Sequence, residues 1–158
     1  MDGDYFIDSK FEQNIEGFNK VGLPVGIYFY SYAKNSKEAY EEAMWIIDKI
    51  KKYKIDLPIA FDWENWSSFN KYNLSMYSLT EMSKVFLNTI EKHGYRGMNY
   101  SSKSYLEGIW FDTGYPTWLA HYTNQTNYEG DYMFWQFCNN GLVDGINGNV
   151  DLNVMYLK

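Results

Sequence analysis

Asp62 and Glu64, separated only by Trp63, are the side chains whose types and spacing are best suited to chemistry. The residues before them, Pro58-Ile59-Ala60-Phe61, predict a strand of the buried kind. On an extended strand, residues i and i+2 point to the same face, with Cβ atoms roughly 6–7 Å apart. Two acids that close repel, which raises the pKa of at least one and keeps a proton available near neutral pH. A general acid needs this when it protonates a glycosidic oxygen beside a carboxylate that stabilises developing positive charge. The competing reading of a bare D-x-E pattern is a solvated pair at a loop entrance.

The surroundings favour the first reading. Aromatic residues are 20% of the chain, with 16 Tyr, 10 Phe and 6 Trp. Tyr and Trp suit half-wet clefts, and ring faces edged with polar groups fit the C–H faces of sugars. Trp63 and Trp66 flank the two acids, and the segments Trp118–Tyr122 and Tyr132–Phe137 add more rings and the amide of Gln136. Asp151, in Asn149-Val150-Asp151-Leu152-Asn153, is a third acid at a strand edge. Only tertiary folding can bring it to the first pair, and locally it also fits an Asx-type turn.

The elements that must position these groups alternate in period. Phe11, Ile15 and Phe18 predict a helix over about 9–20, closed by Gly22. A strand follows over 25–32, then a helix capped by Asn35 or Ser36 with Tyr40, Ala43, Met44, Ile47 and Ile50 inward. Its outer face is expected to carry Glu38, Glu41, Glu42, Lys49, Lys51 and Lys52. After the acid-bearing strand, Ser78-Leu79-Thr80-Glu81 has the pattern of a capping box, starting a helix with Met82, Val85, Phe86 and Ile90 inward and Gly94 at its end. Short strands are expected at 97–100, 117–122, 132–137 and 150–156, with a short helix at 101–109 and a Gly-rich turn region at 141–149. Buried strands alternating with helices predict parallel β/α units, with functional groups at the strands' C-terminal ends. A β/α barrel is the favoured architecture, yet only about six of the usual eight strands are visible.

Composition narrows the function classes. The 158 residues read as one domain over 1–158, 46% apolar and 22% charged, in the proportions of a soluble globular protein. No run approaches the roughly 18–20 apolar residues of a membrane span. The start, Met1-Asp2-Gly3-Asp4, is acidic where a signal peptide is basic, so any export signal is expected to lie outside this sequence. A net charge of −6 argues against a nucleic-acid partner. Cys138 is the only cysteine and reads as a buried free thiol, not a nucleophile or metal ligand. His93 fits a helix-end cap contact, whereas His121 fits either a sugar contact or core packing. No spacing suggests a metal site, residues 141–148 lack the context of a phosphate cradle, and no cofactor is expected. Met44 and Met82 read as core.

Taken together, these residues resemble a known family. Asp62-Trp63-Glu64 after Leu57-Pro58-Ile59-Ala60-Phe61 is similar to the D-x-E strand of the glycoside hydrolase family 25 lysozymes, the Chalaropsis-type muramidases of bacteria and phages. Four more segments agree in order and spacing: 22–33, Asn99-Tyr100-Ser101-Ser102, Trp118-Leu119-Ala120-His121-Tyr122, and Trp135-Gln136-Phe137 running on through 143–153. The resemblance implies an irregular TIM-like (β/α) barrel that cuts the β-1,4 bond between N-acetylmuramic acid and N-acetylglucosamine in peptidoglycan. It implies Glu64 as general acid, Asp62 as the neighbouring carboxylate and Asp151 as the third acid, of a V-D-x-N motif. The substrate's own N-acetyl group would act as nucleophile, oriented by a carboxylate. Tyr28, Tyr30, Trp118, Tyr122 and Gln136 fall where family members line the sugar groove. Trp63, Trp66 and Tyr100, in or beside the matching segments, complete the expected substrate contacts. Action outside the cell or at the cell wall follows, by phage delivery, prophage delivery or secretion.

One departure stands out. Family members begin with a strand carrying G-I-D-V-S, whose Asp is a further active-site acid, and then a second strand. This sequence enters the pattern near Asp8-Ser9-Lys10-Phe11, and Asp2 and Asp4 lack the apolar strand and the serine. An N-terminally incomplete barrel is therefore expected, with exposed sheet edges through which copies could associate. An alternative function follows: a catalytically impaired remnant that binds wall carbohydrate or serves a structural role.

Overall fold

The computed structural model describes residues 5–156, so Asp2 and Asp4 lie outside the described part. Helix α1 (Phe11–Val21) ends where Gly22 takes a φ of 76° and its N–H turns back to the carbonyls of Phe18 and Asn19. Strand β1 (Ile27–Tyr30) leads to α2 (Ser36–Ile50), where the Asn35 side chain accepts from the N–H of Glu38. Strand β2 (Ile59–Asp62) is followed by a 3-10 turn at Trp66–Ser68 and by α3 (Met76–Lys92). Then come β3 (Gly97–Ser102), α4 (Lys103–Gly108), β4 (Thr117–Ala120), β5 (Phe134–Gly141) and β6 (Val150–Met155).

The six strands form one sheet in sequential order, β1 to β6. Strands β1 to β5 are parallel, and β6 returns antiparallel to β5. Sequential parallel order places successive crossovers on one side, since each turns in the same right-handed sense. The sheet therefore curls with its helices outside, as an incomplete TIM-like barrel of six strands where a closed one has eight. Phe29, Ile59, Phe61 and Trp63 face outward into the main core against Ala43, Ile46 and Ile50 of α2 and Met82, Phe86 and Leu87 of α3. The concave face carries Ala60, Met98, Tyr100 and Ala120, with Trp118, Met133 and Phe134 against them. No helix among the described residues is long and apolar enough to cross a membrane.

Three expectations are corrected. The capping box of α3 is Ser75 with Ser78, three residues before the expected one, so Ser78 stands at the third helical position and not at the cap. On α2, Tyr40 is exposed and Glu42 is buried at 2% exposure, the reverse of the expected faces. The buried stripe runs Ala39, Glu42, Ala43, Ile46, Ile47 and Ile50. Strand β1 is shorter than 25–32 and is not of the fully buried kind, because Tyr28 and Tyr30 stand on the open concave side.

Candidate active site

Register across the sheet builds the site. Asp62 lies level with Tyr30 on one side and Tyr100 on the other, and the row continues through Trp118 to Phe134. Level neighbours share a face, so this row crosses the concave surface near the C-terminal ends of the parallel strands. Glu64 comes two residues after Asp62 and Gln136 two after Phe134. Strand β6 runs the other way, so its first residues, Val150 and Asp151, lie at this same end, beside the last residues of β5.

The two paired acids stand in different environments. Asp62 is 7% exposed, and its Oδ1 has no hydrogen-bond partner among the described residues. Burial, and secondarily the charge of Glu64, pushes its pKa up to about 8. Glu64 is exposed at the mouth, and partial burial alone raises its pKa. Burial, more than mutual repulsion, is thus what keeps a proton on the pair.

Asp151 is tied to the row by one amide. Gln136 donates from Nε2 to Asp151 Oδ2 at 3.0 Å, and its Oε1 accepts from the Tyr100 hydroxyl at 2.8 Å and the Tyr122 hydroxyl at 3.0 Å. Burial, then the neighbouring Tyr122, Glu64 and Asp62, pushes the Tyr100 phenol well above its ordinary range. Tyr28 is raised by partial burial and then by Asp62, Asp8 and Asp151, and Tyr30 by partial burial and then by Glu64 and Asp62. The two tyrosines on β1 therefore feel all three candidate acids. Trp118 is half-buried and donates from Nε1 to Asn153 Oδ1 at 2.8 Å. Tyr122 is exposed.

Trp63 does not reach the groove. It is fully buried in the outer core, and its Nε1 donates to the Ala33 carbonyl at 2.9 Å. Strand alternation requires this, because the face that receives Asp62 and Glu64 is opposite the one that receives Trp63. Trp66 is half-buried, with one ring face stacked on Tyr105 at 3.7 Å and its edge against Trp63. One face of its ring is thus taken by packing and not open for the expected sugar contact. Gln136 is 4% exposed, so its amide holds other side chains more than it meets solvent.

His121 bonds through Nδ1 to Thr126 Oγ1 at 2.8 Å, and His93 through Nδ1 to the Thr89 carbonyl at 2.8 Å. Cys138 is half-buried rather than buried, with its thiol on Asn140 Oδ1. Among the described residues no group of three His, Cys, Asp or Glu could hold a metal ion.

Sequence reasoning missed Glu42, Asn65, Asn153 and Tyr32. The spacing of the buried α2 positions already passes through residue 42. Asn65 donates from Nδ2 to the Ser31 carbonyl, and Tyr32 packs its ring 5.2 Å from that of Tyr30. Neither contact has a local sequence signal.

Comparison with known proteins identifies a family and several relatives. The family model described as glycosyl hydrolases family 25 matches residues 1–146. The uncharacterized protein YegX of Escherichia coli (strain K12) is 31% identical over 161 residues, covering 97% of this chain and 56% of YegX. The autolytic lysozyme of Clostridium acetobutylicum is 24% identical over 156 residues, covering 94% of this chain and 44% of its own length. The chain thus spans about half the length of the curated relatives it matches. Among solved structures, the modular autolysin LytC of Streptococcus pneumoniae superposes with a TM-score of 0.82 at 28% identity, over 96% of this chain and 38% of LytC.

Proposed function

The chain belongs to glycosyl hydrolases family 25, and from that premise we propose that it is a peptidoglycan hydrolase. It acts at the bacterial cell wall, cutting the β-1,4 bond between N-acetylmuramic acid and N-acetylglucosamine. Glu64 gives its proton to the glycosidic oxygen as that bond breaks, and the substrate's N-acetyl oxygen attacks the anomeric carbon. Water then attacks the same carbon, losing a proton to the Glu64 carboxylate and releasing the N-acetyl group. Asp62 and Asp151 flank the N-acetyl group and orient it, and the exposed rings of Tyr28, Tyr30 and Tyr122 give sugars apolar faces to lie on.

The observation that carries this reading is the contrast between the paired acids. Glu64 meets solvent at the mouth with a raised pKa, while Asp62 behind it is buried with an oxygen lacking any partner among the described residues. A buried unsatisfied carboxyl is costly for a protein that needs it only for packing.

A second reading, a groove that binds wall glycan without cutting it, is favoured by one fact. Asp62 keeps its proton up to about pH 8, so it carries little charge to steady a developing cation at neutrality. Clearing of Gram-positive cell-wall suspensions, with release of new reducing ends, decides between them. Glu64→Gln is expected to cost roughly three orders of magnitude in clearing with wall binding retained. Unchanged clearing removes Glu64 as the acid, and binding by the native chain without clearing favours the second reading.

Self-association belongs to the same proposal. Among the described residues strand β1 pairs only with β2, and residues 26–32 carry neither a charge nor a proline to discourage a further strand. Beside this edge lies a cavity of about 960 Å³ lined by Phe6, Phe11, Ile27, Phe29 and Trp45 among others. Sedimentation of the native chain against a Tyr28→Lys variant tests it, with the dimer expected to be lost in the variant.

A further inference from the structure

We propose that Glu42 is a positioning residue for the candidate acids: from inside α2 it holds the turn Ser31–Ala33, to which the segment Asp62–Asn65 is fastened. The inference rests on the reading of Asp62 and Glu64 as the reacting pair.

Glu42 is the only charged side chain in a stripe otherwise made of Ala and Ile, and a well-packed apolar residue there would cost less to bury. Both its oxygens are used on the turn. Oε2 accepts from Ser31 Oγ at 2.6 Å and Oε1 from the Tyr32 N–H at 3.0 Å. The turn in turn grips the next strand at three points. The Ser31 N–H donates to the Asp62 carbonyl at 2.7 Å. Asn65 Nδ2 donates to the Ser31 carbonyl, and Trp63 Nε1 to the Ala33 carbonyl, each at 2.9 Å. Asp62, Trp63 and Asn65 therefore share one three-residue anchor, and Glu64 is the member left to face the mouth. Tyr30 immediately precedes that anchor and Tyr32 is part of it.

The link is open to carboxyl NMR titration of Asp62 in the full chain. Glu42→Leu can accept from neither Ser31 nor Tyr32. It is expected to lower the Asp62 midpoint by about one pH unit or more, as the strand end loosens and water reaches the carboxyl. Glu42→Gln is equally uncharged but can accept from the Tyr32 N–H and donate to Ser31 Oγ, and it is expected to hold the midpoint near the native value. An unmoved midpoint in the leucine variant overturns the proposal. So does an equal shift in both variants, since that would mark a charge effect and not a tether. If the leucine variant does not fold, Ser31→Ala removes the Oε2 bond and leaves the Tyr32 N–H on Oε1, so a smaller fall of the midpoint is expected and an unmoved midpoint overturns the proposal. Failure of the hydrolase reading shows separately, as wall clearing that survives Glu64→Gln while these titrations stand.

Discussion

Gln136 donates to Asp151 at 3.0 Å while its carbonyl oxygen receives the hydroxyls of both Tyr100 and Tyr122. An amide offers two N–H groups and two lone pairs, so three of its four positions are taken before any ligand arrives. The four side chains come from β3, from the residue pair after β4, from β5 and from β6. One amide thus joins the far side of the mouth, and one of its bonds holds Asp151.

Gln136→Leu should separate that role from sugar binding. It removes the Gln136 acceptor of the buried Tyr100 hydroxyl and leaves it only the neighbouring Tyr122 hydroxyl, a loss of about 1 kcal/mol readable in urea melts. On the proposed role of Asp151 in orienting the substrate, loss of its donor should lower turnover by about ten- to a hundredfold with a smaller change in KM. A variant whose KM alone rises would make Gln136 a sugar ligand instead.

Asp62→Asn should stabilise the fold while damaging activity. The Asp62 carboxyl titrates near 3.8 when unfolded and is pushed to about 8 when folded. Between those values the folded chain holds more protons than the unfolded one, so stability falls as pH rises through the window. Glu42, raised from 4.5 to about 7 mainly by burial, adds a slope of the same sign. Urea melts from pH 4 to 9 should show native stability declining, and a shallower decline for Asp62→Asn. The variant should be the more stable at pH 9, by on the order of a few kcal/mol. Parallel curves for the two proteins would remove Asp62 as the source.

Glu64→Gln should lower the Asp62 midpoint only slightly. The charge of Glu64 is the lesser cause of the shift and burial the greater. A fall of less than about one unit is therefore expected in a carboxyl titration. A collapse to the ordinary carboxylate range would mean that repulsion, the cause the D-x-E spacing first suggests, governs the pair.

The fold was legible where periodicity speaks. Strand β2, buried on both faces, announced itself as the apolar run before Asp62, and Asn35 was one of two candidates for the cap of α2. The six-strand count followed from short β-type runs spaced between helical ones. What escaped was tertiary in origin. Ser75 and Ser78 look alike as caps until packing decides which turn is helical. Glu42 reads as a solvent-facing charge until Ser31 and Tyr32 supply its partners. Trp63 was misread although its placement was available: the alternation that joins Asp62 to Glu64 sends the residue between them to the other face.

That alternation yields a last pair of expectations. Trp63 contributes packing and one hydrogen bond to the Ala33 carbonyl, so Trp63→Phe should lower stability by about 2–3 kcal/mol through lost volume and a stranded acceptor. Folded at low temperature, the variant should still bind wall glycan with near-native affinity, because no ring face is lost from the groove. Tyr30→Ala should do the opposite. Tyr30 stands level with Asp62 on the open side, so its removal should change the melting curve little and weaken glycan binding by about tenfold. Isothermal titration with a soluble glycan fragment reads both. Tyr30→Ala binding as well as the native chain would move the sugar path away from β1. Weak binding by folded Trp63→Phe would mean that the anchor at Ala33 shapes the groove as well as the core.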